Sequence, residues 1–438
     1  MQNKVGSPIF RVIQRLKNIY NEFPRKFWLI VAVSFIDRIG GTMLFPFFSL
    51  YITEKFSVGM TEAGYVLGLF AFFGLIGGFI GGALTDKFGR RKIIIFGLVF
   101  SALSTLSLAF VNEFAMLIPL AIIIGLLSDV AGPAHNAMIA DILDEKQRQE
   151  GFGILRVVAN MSWIIGPSIG GFVANRSYLV LFISDAVISC FVAFLFYRLI
   201  AETKPEARED EERQSLLQTF VGYGQVLKDK AFVAFLMAGM LMGMVYQQMY
   251  NSLSVYLRDV HNIAPQGYGF LLTSSAITVI IFQFYTTRVI KKRPPFLMMA
   301  LGTFFYMIGF SMFGIFSNYW FFIAAVVIIT IGEMVNMPTM QTLAANFAPE
   351  AMRGRYMAAF GLIWMIPATV SPTLAGIILD NYNPNFLWYI GGFLCAVAAL
   401  SFVVLHGRLG KQKRFITSND GELDEKEIND YIPAVQEA

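Results

Sequence analysis

Cysteine, histidine and charge are all scarce in this chain. It has two cysteines and three histidines among 438 residues, and charged residues make up only 15% of the total. Cys190 and Cys395 each lie inside an apolar run, so neither a disulfide framework nor a zinc site is indicated. Phosphate-binding loops, nucleotide-binding folds and nucleophile elbows are missing as well. We therefore expect no enzymatic activity, no cofactor, no metal site and no nucleic-acid partner.

The chain is rich in long runs of apolar residues. It is 56% hydrophobic, with 43 phenylalanines and a mean hydropathy of +0.60, which is typical of membrane proteins. Each of its apolar runs reaches the ~20 residues that span a bilayer. The runs are Phe27–Ile52, Ala63–Leu84, Lys92–Val111, Phe114–Leu143, Phe152–Ala174, Tyr178–Ile200, Ala231–Leu257, Gln266–Ile290, Phe296–Phe316, Tyr319–Phe347, Tyr356–Leu379 and Pro384–Leu405. They predict an all-α integral membrane protein with about twelve transmembrane helices, and the lipid bilayer as its surroundings.

One long polar break divides the apolar runs into two groups of about six. The predicted domains are a tail at 1–26, a bundle at 27–200, a linker at 201–230, a second bundle at 231–406 and a tail at 407–438. Lysine and arginine concentrate in the tails, the linker and alternate loops, whereas the other loops carry only Lys55, Arg176 and Arg258. By the positive-inside rule, both tails and the linker are expected in the cytoplasm, with the bundles in a bacterial-type plasma membrane.

A short charged loop, GALTDKFGRRK at 82–92, joins the second and third apolar runs. Gly82 and Gly89 are expected to let the backbone pass close and turn sharply. Asp86 is expected to cap the helix that follows. The stretch resembles the cytoplasmic loop between helices two and three of the major facilitator superfamily, whose pattern reads G-x-L-x-D-R-x-G-R-[KR]. Lys87 stands where that pattern has an arginine.

The two halves of the chain are also related as repeats. Pro133, Arg148 and the Gly-Pro pair at 166–167 reappear at one constant offset as Pro338, Arg353 and the Ser-Pro pair at 371–372. A single register held across two helices and a loop is hard to obtain by chance. The resemblance implies the major facilitator fold, with two pseudo-symmetric six-helix bundles and the substrate bound at their interface.

The fifth apolar run indicates which group of the superfamily the chain resembles. Gly153, Ser162, Gly166, Pro167, Gly170 and Gly171 follow the pattern G-x8-G-x3-G-P-x2-G-G, with serine in place of one glycine. Small residues on one face let helices approach closely, and proline bends a helix. The pattern is similar to the antiporter signature of twelve-helix drug:proton antiporters. Many of those carry an arginine in the fourth helix, where this chain has Asp129.

Ionisable groups at bilayer depth carry most of the functional argument, since each costs at least ~2.5–3.5 kcal/mol. Asp37 and Arg38 lie in the first predicted helix, Asp129 in the fourth and Glu333 in the tenth. The resemblance implies that these helices line the cavity, so Glu333, Asp37 and Asp129 are predicted to couple protons. A permanent salt bridge of Arg38 with Asp37 or Asp129 remains an alternative. Asp185 is interpreted as a solvated or capping group near the outer face.

The remaining predicted site residues have two roles. The predicted substrate-binding residues are Asp37, Arg38, Asp129, Tyr246, Gln247, Tyr250, Asn251, Glu333 and Asn336. The predicted gating residues are Gly82, Asp86, Gly89, Arg90, Asp141, Arg148, Arg156, Gly166, Pro167, Gly170, Gly171, Glu350 and Arg353. In the gate, Arg90 is expected to reach Asp141. The predicted cavity has two acidic groups, Asp37 and Asp129, and one arginine, Arg38, and this balance favours cationic or zwitterionic cargo.

These patterns predict a secondary active transporter that works by alternating access. The interpretation favoured by the fifth helix is proton-coupled efflux of amphipathic drug-like or lipid-like compounds by a monomer. A proton-coupled symporter or facilitator of a polar metabolite, sugar or peptide remains an alternative. So does a lipid-handling or receptor-like member of the same fold. The expected partners are a small-molecule substrate and protons.

Overall fold

A computed structural model of the protein describes residues 20–128, 130–204, 226, 228–349, 352–410, 412 and 415. Within these ranges it has twelve helices long and apolar enough to cross a membrane, which confirms the predicted number. We label them α1 (Arg25–Leu44, continued by Phe48–Phe56), α2 (Met60–Phe88), α3 (Arg90–Phe110), α4 (Phe114–Ser128 and Ala131–Ile142), α5 (Glu145–Ala174), α6 (Tyr178–Leu199), α7 (Lys230–Tyr246, Gln248–Asn251 and Leu253–His261), α8 (Pro265–Ile290), α9 (Pro295–Ile315), α10 (Tyr319–Phe347), α11 (Arg353–Asn381) and α12 (Asn385–Leu409).

Besides α4, whose two parts are given above, two spanning helices are interrupted along their length. A short 3-10 segment at Phe45–Phe47 joins the two parts of α1, and Pro46 lies inside it, where its missing N–H leaves one helical hydrogen bond unmade. The α7 helix stops at Tyr246 and restarts at Gln248, and it breaks a second time at Ser252. The predicted runs at these places are therefore correct in position, but they are not single regular helices.

The chain forms two compact units that do not follow the sequence strictly. Unit 1 comprises Met1–Val58, Tyr65–Glu211 and Ile263–Thr273, and unit 2 comprises Gly59–Gly64, Glu212–Asn262 and Ser274–Ala438. The start of α2 thus groups with unit 2, and the start of α8 groups with unit 1. Most of the predicted linker, residues 205–225 and 227, lies outside the described residues.

The core of unit 1 is formed by α1, α3, α4 and α6. Phe27, Ile94, Met138 and Phe196 are fully buried in this cluster. Lipid is as apolar as these side chains, so in a membrane such helices are held together by close packing and interhelical hydrogen bonds.

The glycines of α5 show this close packing. A Cβ atom added to Gly166 or Gly170 would collide with Thr42 or Met43 of α1, respectively. At Gly171 the same atom would lie 3.0 Å from the Pro265 carbonyl oxygen of α8. The close approach predicted for these three glycines is therefore present, and it places α5 against α1 and the start of α8.

A similar seam occurs in unit 2, between α11 and the start of α2. A Cβ atom on Gly376 would collide with the backbone at Met60, and one on Gly64 would collide with the backbone at Pro372. Gly64 and Gly269, and likewise Gly171 and Gly376, are separated by the offset that relates Pro133 to Pro338. The internal repeat therefore extends to the glycines that make these contacts.

Glycines also bring together three helices of unit 2. A Cβ on Gly302 of α9 would lie 2.9 Å from the Gly332 carbonyl oxygen of α10, and one on Gly314 would lie 3.0 Å from the Asn385 carbonyl oxygen of α12. The rings of Phe310 and Trp388 stack between α9 and α12, with centroids 6.4 Å apart. These contacts pack α9 against α12 and against α10, which carries Glu333.

Candidate functional site

The loop between α2 and α3 turns at Gly89, which has a φ of +91°. This left-handed backbone favours glycine, and a Cβ here would also lie 2.6 Å from the Glu202 carboxylate. Gly82 behaves differently, because no described atom lies within 4 Å of its Cβ position. The predicted sharp turn is therefore present at Gly89, whereas Gly82 lies inside α2 and makes neither a turn nor a close approach.

Glu202, from the segment after α6, caps the start of α3. Its carboxylate accepts hydrogen bonds from the backbone N–H groups of Arg90 at 2.9 Å and Arg91 at 3.2 Å. The prediction that Asp86 caps this helix is wrong, because the N-cap residue is Gly89 and Asp86 belongs to the last turn of α2. The Asp86 side chain lies outside the described residues.

Residues 202–204, which we call the linker root, hold the ends of several helices together. The backbone N–H groups of Thr203 and Lys204 also donate to Glu202, at 3.0 and 3.1 Å. Burial alone would raise the pKa of Glu202, but the backbone N–H groups of Lys204, Arg90, Thr203 and Arg91 outweigh burial and lower that pKa. Glu202 is therefore held as a carboxylate.

The predicted contact between Arg90 and Asp141 is present in unit 1, with 3.0 Å between Nε and Oδ2. The Thr203 hydroxyl donates to the same Asp141 oxygen at 3.2 Å. The Lys204 ammonium donates to the Lys87 carbonyl oxygen at the end of α2, at 3.2 Å. The linker root therefore contacts the ends of α2, α3 and α4. Whether this arrangement acts as a gate stays a prediction.

The other predicted gating residues lie on several different elements. Arg148 donates to the Ala140 carbonyl oxygen at 3.1 Å and so caps the end of α4. Arg156 is exposed on α5. Glu350 lies outside the described residues, and Arg353 begins α11, although its side chain is not described. At Pro167, the carbonyl oxygen would lie 2.7 Å from a Cβ on Gly269.

The ionisable residues inside the spanning helices of unit 1 include Asp37 and Arg38 of α1 and Asp185 of α6. Asp37 is half-buried and Arg38 is exposed, and no described carboxylate lies within 4.0 Å of Arg38. The alternative of a salt bridge between Arg38 and Asp37 is therefore not found. Asp129, its other suggested partner, lies outside the described residues.

Asp185 on α6 is a buried group that the sequence interpretation placed wrongly. Its side chain is neither solvated nor a helix cap, because it is only 4% exposed. It accepts a hydrogen bond from the Thr105 hydroxyl at 2.8 Å, and its other oxygen approaches Gly40 of α1. The face of α6 that carries Asp185 packs against α1 and α3, so the carboxyl group points into unit 1. The pattern of apolar residues in α6 does not reveal which face this is.

Glu333 lies inside unit 2 among three tyrosines. Its carboxylate interacts electrostatically with Tyr246, Tyr250 and Tyr306. The hydroxyl groups of Tyr246 and Tyr250 are 3.2 Å apart. In the part of the chain that the structure describes, no lysine, arginine or histidine forms an ion pair with Glu333. The carboxyl group is thus surrounded by aromatic rings and hydroxyls.

The rings around Glu333 are held in place by one another. Tyr306 of α9 stacks on Tyr246 at a centroid distance of 5.6 Å, and Trp364 of α11 contacts Tyr246 edge-on at 5.8 Å. Tyr306 is completely buried. Sequence reasoning missed Tyr306 and Trp364 because its substrate-binding candidates came only from helices one, four, seven and ten. The group of Tyr246, Tyr250, Tyr306, Trp364 and Glu333 is called the tyrosine group below.

Three polar residues predicted to bind substrate lie near this group. Asn336 is fully buried one turn after Glu333, and its amide contacts the Met242 sulfur at 3.3 Å. With its amide reversed, Asn336 instead donates to the Met299 carbonyl oxygen at 3.2 Å. Gln247 occupies the break in α7 and is half-buried, whereas Asn251 is buried. Asn336 thus serves interhelical packing.

The described residues contain no group of three or more histidine, cysteine, aspartate or glutamate side chains that could hold a metal ion. The chemistry available at bilayer depth is therefore that of single carboxyl groups, hydroxyls and aromatic rings. Such groups can take up a proton or attract a cation.

A sequence profile described as Major Facilitator Superfamily matches residues 30–372 and 249–427. The chain belongs to the Major Facilitator Superfamily. Its members are transporters of small molecules across membranes rather than enzymes. The resemblance seen in the 82–92 loop and in α5 is thereby confirmed at the level of the superfamily.

Curated relatives include an antiporter and a drug-resistance protein. The "Na(+), Li(+), K(+)/H(+) antiporter" of Planococcus maritimus is 27% identical over 83% of this chain and 90% of its own length. The "Quinolone resistance protein NorA" of Staphylococcus aureus (strain MSSA476) is 23% identical over 79% of this chain and 88% of its own length.

Among solved structures, a POT family transporter in complex with 5-aminolevulinic acid superposes with a TM-score of 0.75. It shares 15% identity, over 88% of this chain and 96% of its own. A mutant of the nucleoside transporter NupG also gives a TM-score of 0.75, with 11% identity over 87% of this chain and all of its own. These likenesses show the fold.

Proposed function

We propose that the protein is a proton-coupled antiporter that exports amphipathic drug-like or lipid-like compounds carrying a positive charge. The observation that carries this proposal is Glu333, a carboxyl group without a cationic partner among the described residues, set among three tyrosines and Trp364. A carboxylate in such a place is costly, so it favours either a bound proton or a bound cation. Aromatic faces attract organic cations by ~0.5–2 kcal/mol each. Because a proton and the cationic cargo would compete for this one carboxylate, binding of one would release the other. This competition would couple export of the cargo to uptake of a proton.

The proposal also includes the orientation of the protein in the membrane and the position of a gate. The distribution of lysine and arginine supports a plasma-membrane location with both tails in the cytoplasm. The salt bridge of Arg90 with Asp141, held by the linker root, supports a gating role at that face. A monomer would suffice for this mechanism, because Glu333 and its aromatic neighbours belong to one chain.

Proton release measured on addition of ligand tests the role of Glu333. Purified protein in weakly buffered detergent would be mixed with tetraphenylphosphonium chloride, an amphipathic organic cation, and the pH followed with an indicator dye. We expect the wild-type protein to release protons, and Glu333→Gln to release none and to lose gradient-driven accumulation in liposomes.

The matched control is Glu62→Gln, which removes an exposed carboxyl group at the start of α2. It should release protons as the wild type does. Undiminished release by Glu333→Gln, or none by the wild type, would contradict the proposal.

A second candidate function is exchange of alkali cations for protons. It is favoured by the oxygen atoms of Asp185 and Thr105, 2.8 Å apart and buried in unit 1, and by the antiporter relative. The same assay distinguishes the two candidates. Release on addition of LiCl, NaCl or KCl that is lost in Asp185→Asn, with N-methylglucamine chloride as the ionic-strength control, would support alkali-cation exchange.

A further inference from the structure

Cationic side chains cluster where α8 ends and α9 begins. The cluster, which we call the basic loop, consists of Arg288, Lys291, Lys292 and Arg293, and all of its members are exposed. Among the described residues, no carboxylate forms an ion pair with any of them. The two helices that flank the loop offer no acid either, since the sequence has none between Asp259 and Glu333. The positive charge of the basic loop is thus not balanced by the described part of the chain.

Phe415, near the start of the C-terminal tail, anchors the tail beside this loop. Its side chain is 2% exposed, and its ring contacts Phe296 of α9 and Phe347 of α10 at centroid distances of 5.1 and 4.8 Å. Phe296 follows Arg293 by only three residues, which span at most about 11 Å. Phe415 and the basic loop therefore lie at the same end of unit 2.

The residues after Phe415 carry the opposite charge. We call residues 420–430, DGELDEKEIND, the acidic segment; it has six acidic residues and one lysine, and it lies outside the described residues. Asp420 follows Phe415 by five residues, which span at most about 17 Å. The acidic segment is therefore within reach of the basic loop.

We propose that the acidic segment docks on the basic loop of the same chain. The proposal is independent of the proposed function, because it involves neither Glu333 nor the cargo. Anchoring at Phe415 makes the contact intramolecular, so a high effective concentration adds to charge pairs that are individually weak. Anionic phospholipid headgroups are the competing occupant, since they also attract lysine and arginine at a membrane surface.

Carbodiimide cross-linking of the full chain, followed by peptide mass spectrometry, tests the contact. This reagent joins a carboxylate directly to a lysine amine that touches it. The protein would be studied in nanodiscs of phosphatidylcholine alone and of phosphatidylcholine with phosphatidylglycerol. In both we expect links from the acidic segment to Lys291 and Lys292. The links should decrease when the salt concentration is raised to about 1 M, because salt screens exposed charges.

Lys230 is the matched control lysine for proximity to the anchor. It is exposed at the start of α7, and the nearby ring of Phe232 contacts Phe347, the neighbour of Phe415, at 5.4 Å. A tail that moves freely around Phe415 would link to Lys230 as often as to the two lysines of the basic loop. A docked acidic segment should link mainly to the basic loop.

Arg293→Gln removes one charge from the basic loop and keeps both reactive lysines. It should lower the yield of links to them roughly two- to fivefold, as expected for the loss of an exposed charge pair. Arg198→Gln, which removes an exposed arginine from α6 in unit 1, should leave the yield unchanged.

Three results would each overturn the docking. They are linking of Lys230 equal to that of the basic loop, an unchanged yield in Arg293→Gln, and an absence of links to the basic loop. If the links disappear only when phosphatidylglycerol is present, the occupant in an anionic membrane is the lipid headgroup and the proposal is also wrong.

Discussion

Replacing Glu202 by alanine would test whether the linker root holds the start of α3. The Glu202 carboxylate accepts backbone N–H groups from Arg90 and Arg91 of α3 and from Thr203 and Lys204 of its own segment. The variant removes all four hydrogen bonds and leaves Gly89 without any side chain to cap the helix. We therefore expect the first turn of α3 to open more often.

The expected size of the effect follows from two contributions. Loss of an N-cap acceptor costs ~0.5–2 kcal/mol. The negative charge near an exposed helix N-terminus contributes about 0.3–1 kcal/mol. Because Glu202 is largely exposed, we take the lower part of each range and expect about 1 kcal/mol for Glu202→Ala. Glu202→Gln keeps one acceptor oxygen and loses the charge, so its effect should be smaller.

The effect should also depend on pH in a defined direction. The pKa of Glu202 is lowered in the folded protein, so its contribution to stability is fully present above the pKa of the unfolded chain. The contribution is lost as the pH falls through the lowered pKa. The difference between wild type and Glu202→Gln should therefore be constant at neutral pH and shrink only in acid, below the usual range of a glutamate.

Hydrogen exchange followed by mass spectrometry provides the assay. At neutral pH, an opening made easier by 1 kcal/mol should accelerate exchange of the Arg90 and Arg91 amides roughly fivefold. Glu113→Gln, at the other end of α3, is the control, and its effect on these amides should be negligible. Unchanged exchange in Glu202→Ala would refute the capping role and leave Gly89 alone to define the turn.

Two further predictions concern packing and charge in unit 1. Gly166→Ala should destabilise the protein by about 1–3 kcal/mol, because the added methyl group meets Thr42 side-chain and backbone atoms. Gly153→Ala on the same helix, with no described atom within 4 Å, should be neutral in thermal unfolding; equal losses in both would contradict the close-packing argument. A double-mutant cycle of Arg90→Ala and Asp141→Ala should give a coupling energy of about 0.2–1 kcal/mol that falls as salt is added. A coupling energy near zero at low salt would mean that the two side chains do not stabilise each other.

Sequence patterns were most informative where a helix must meet lipid or another helix backbone. Twelve apolar runs of bilayer length predicted twelve helices, since a spanning segment must satisfy its own backbone hydrogen bonds. Gly166, Gly170 and Gly171 could be identified as contact points because close backbone approach excludes larger side chains. Apolar length and glycine spacing both lie within a single helix, so they can be interpreted without knowing which helices pack beside it.

The same patterns failed where the partner comes from a distant part of the chain. Asp86 was assigned as the cap of α3 because it is near in sequence, but the acceptor is Glu202, more than a hundred residues away. Asp185 was interpreted as solvated because the orientation of α6 cannot be read from a helix that is apolar all round.

The sequence by itself thus determined the membrane class, the number of helices, the superfamily and the presence of Glu333 in the middle of the tenth apolar run. Only the tertiary structure decided what surrounds that carboxyl group. Tyr246 and Tyr250 could be placed on one helix face by their spacing, but the stacking of Tyr306 and the contact with Trp364 come from other helices. Helix periodicity fixes which residues share a face, whereas the neighbour of that face depends on how the helices cross. That crossing is set by glycine contacts such as Gly314 of α9 with the Asn385 backbone of α12, which join residues far apart in the chain.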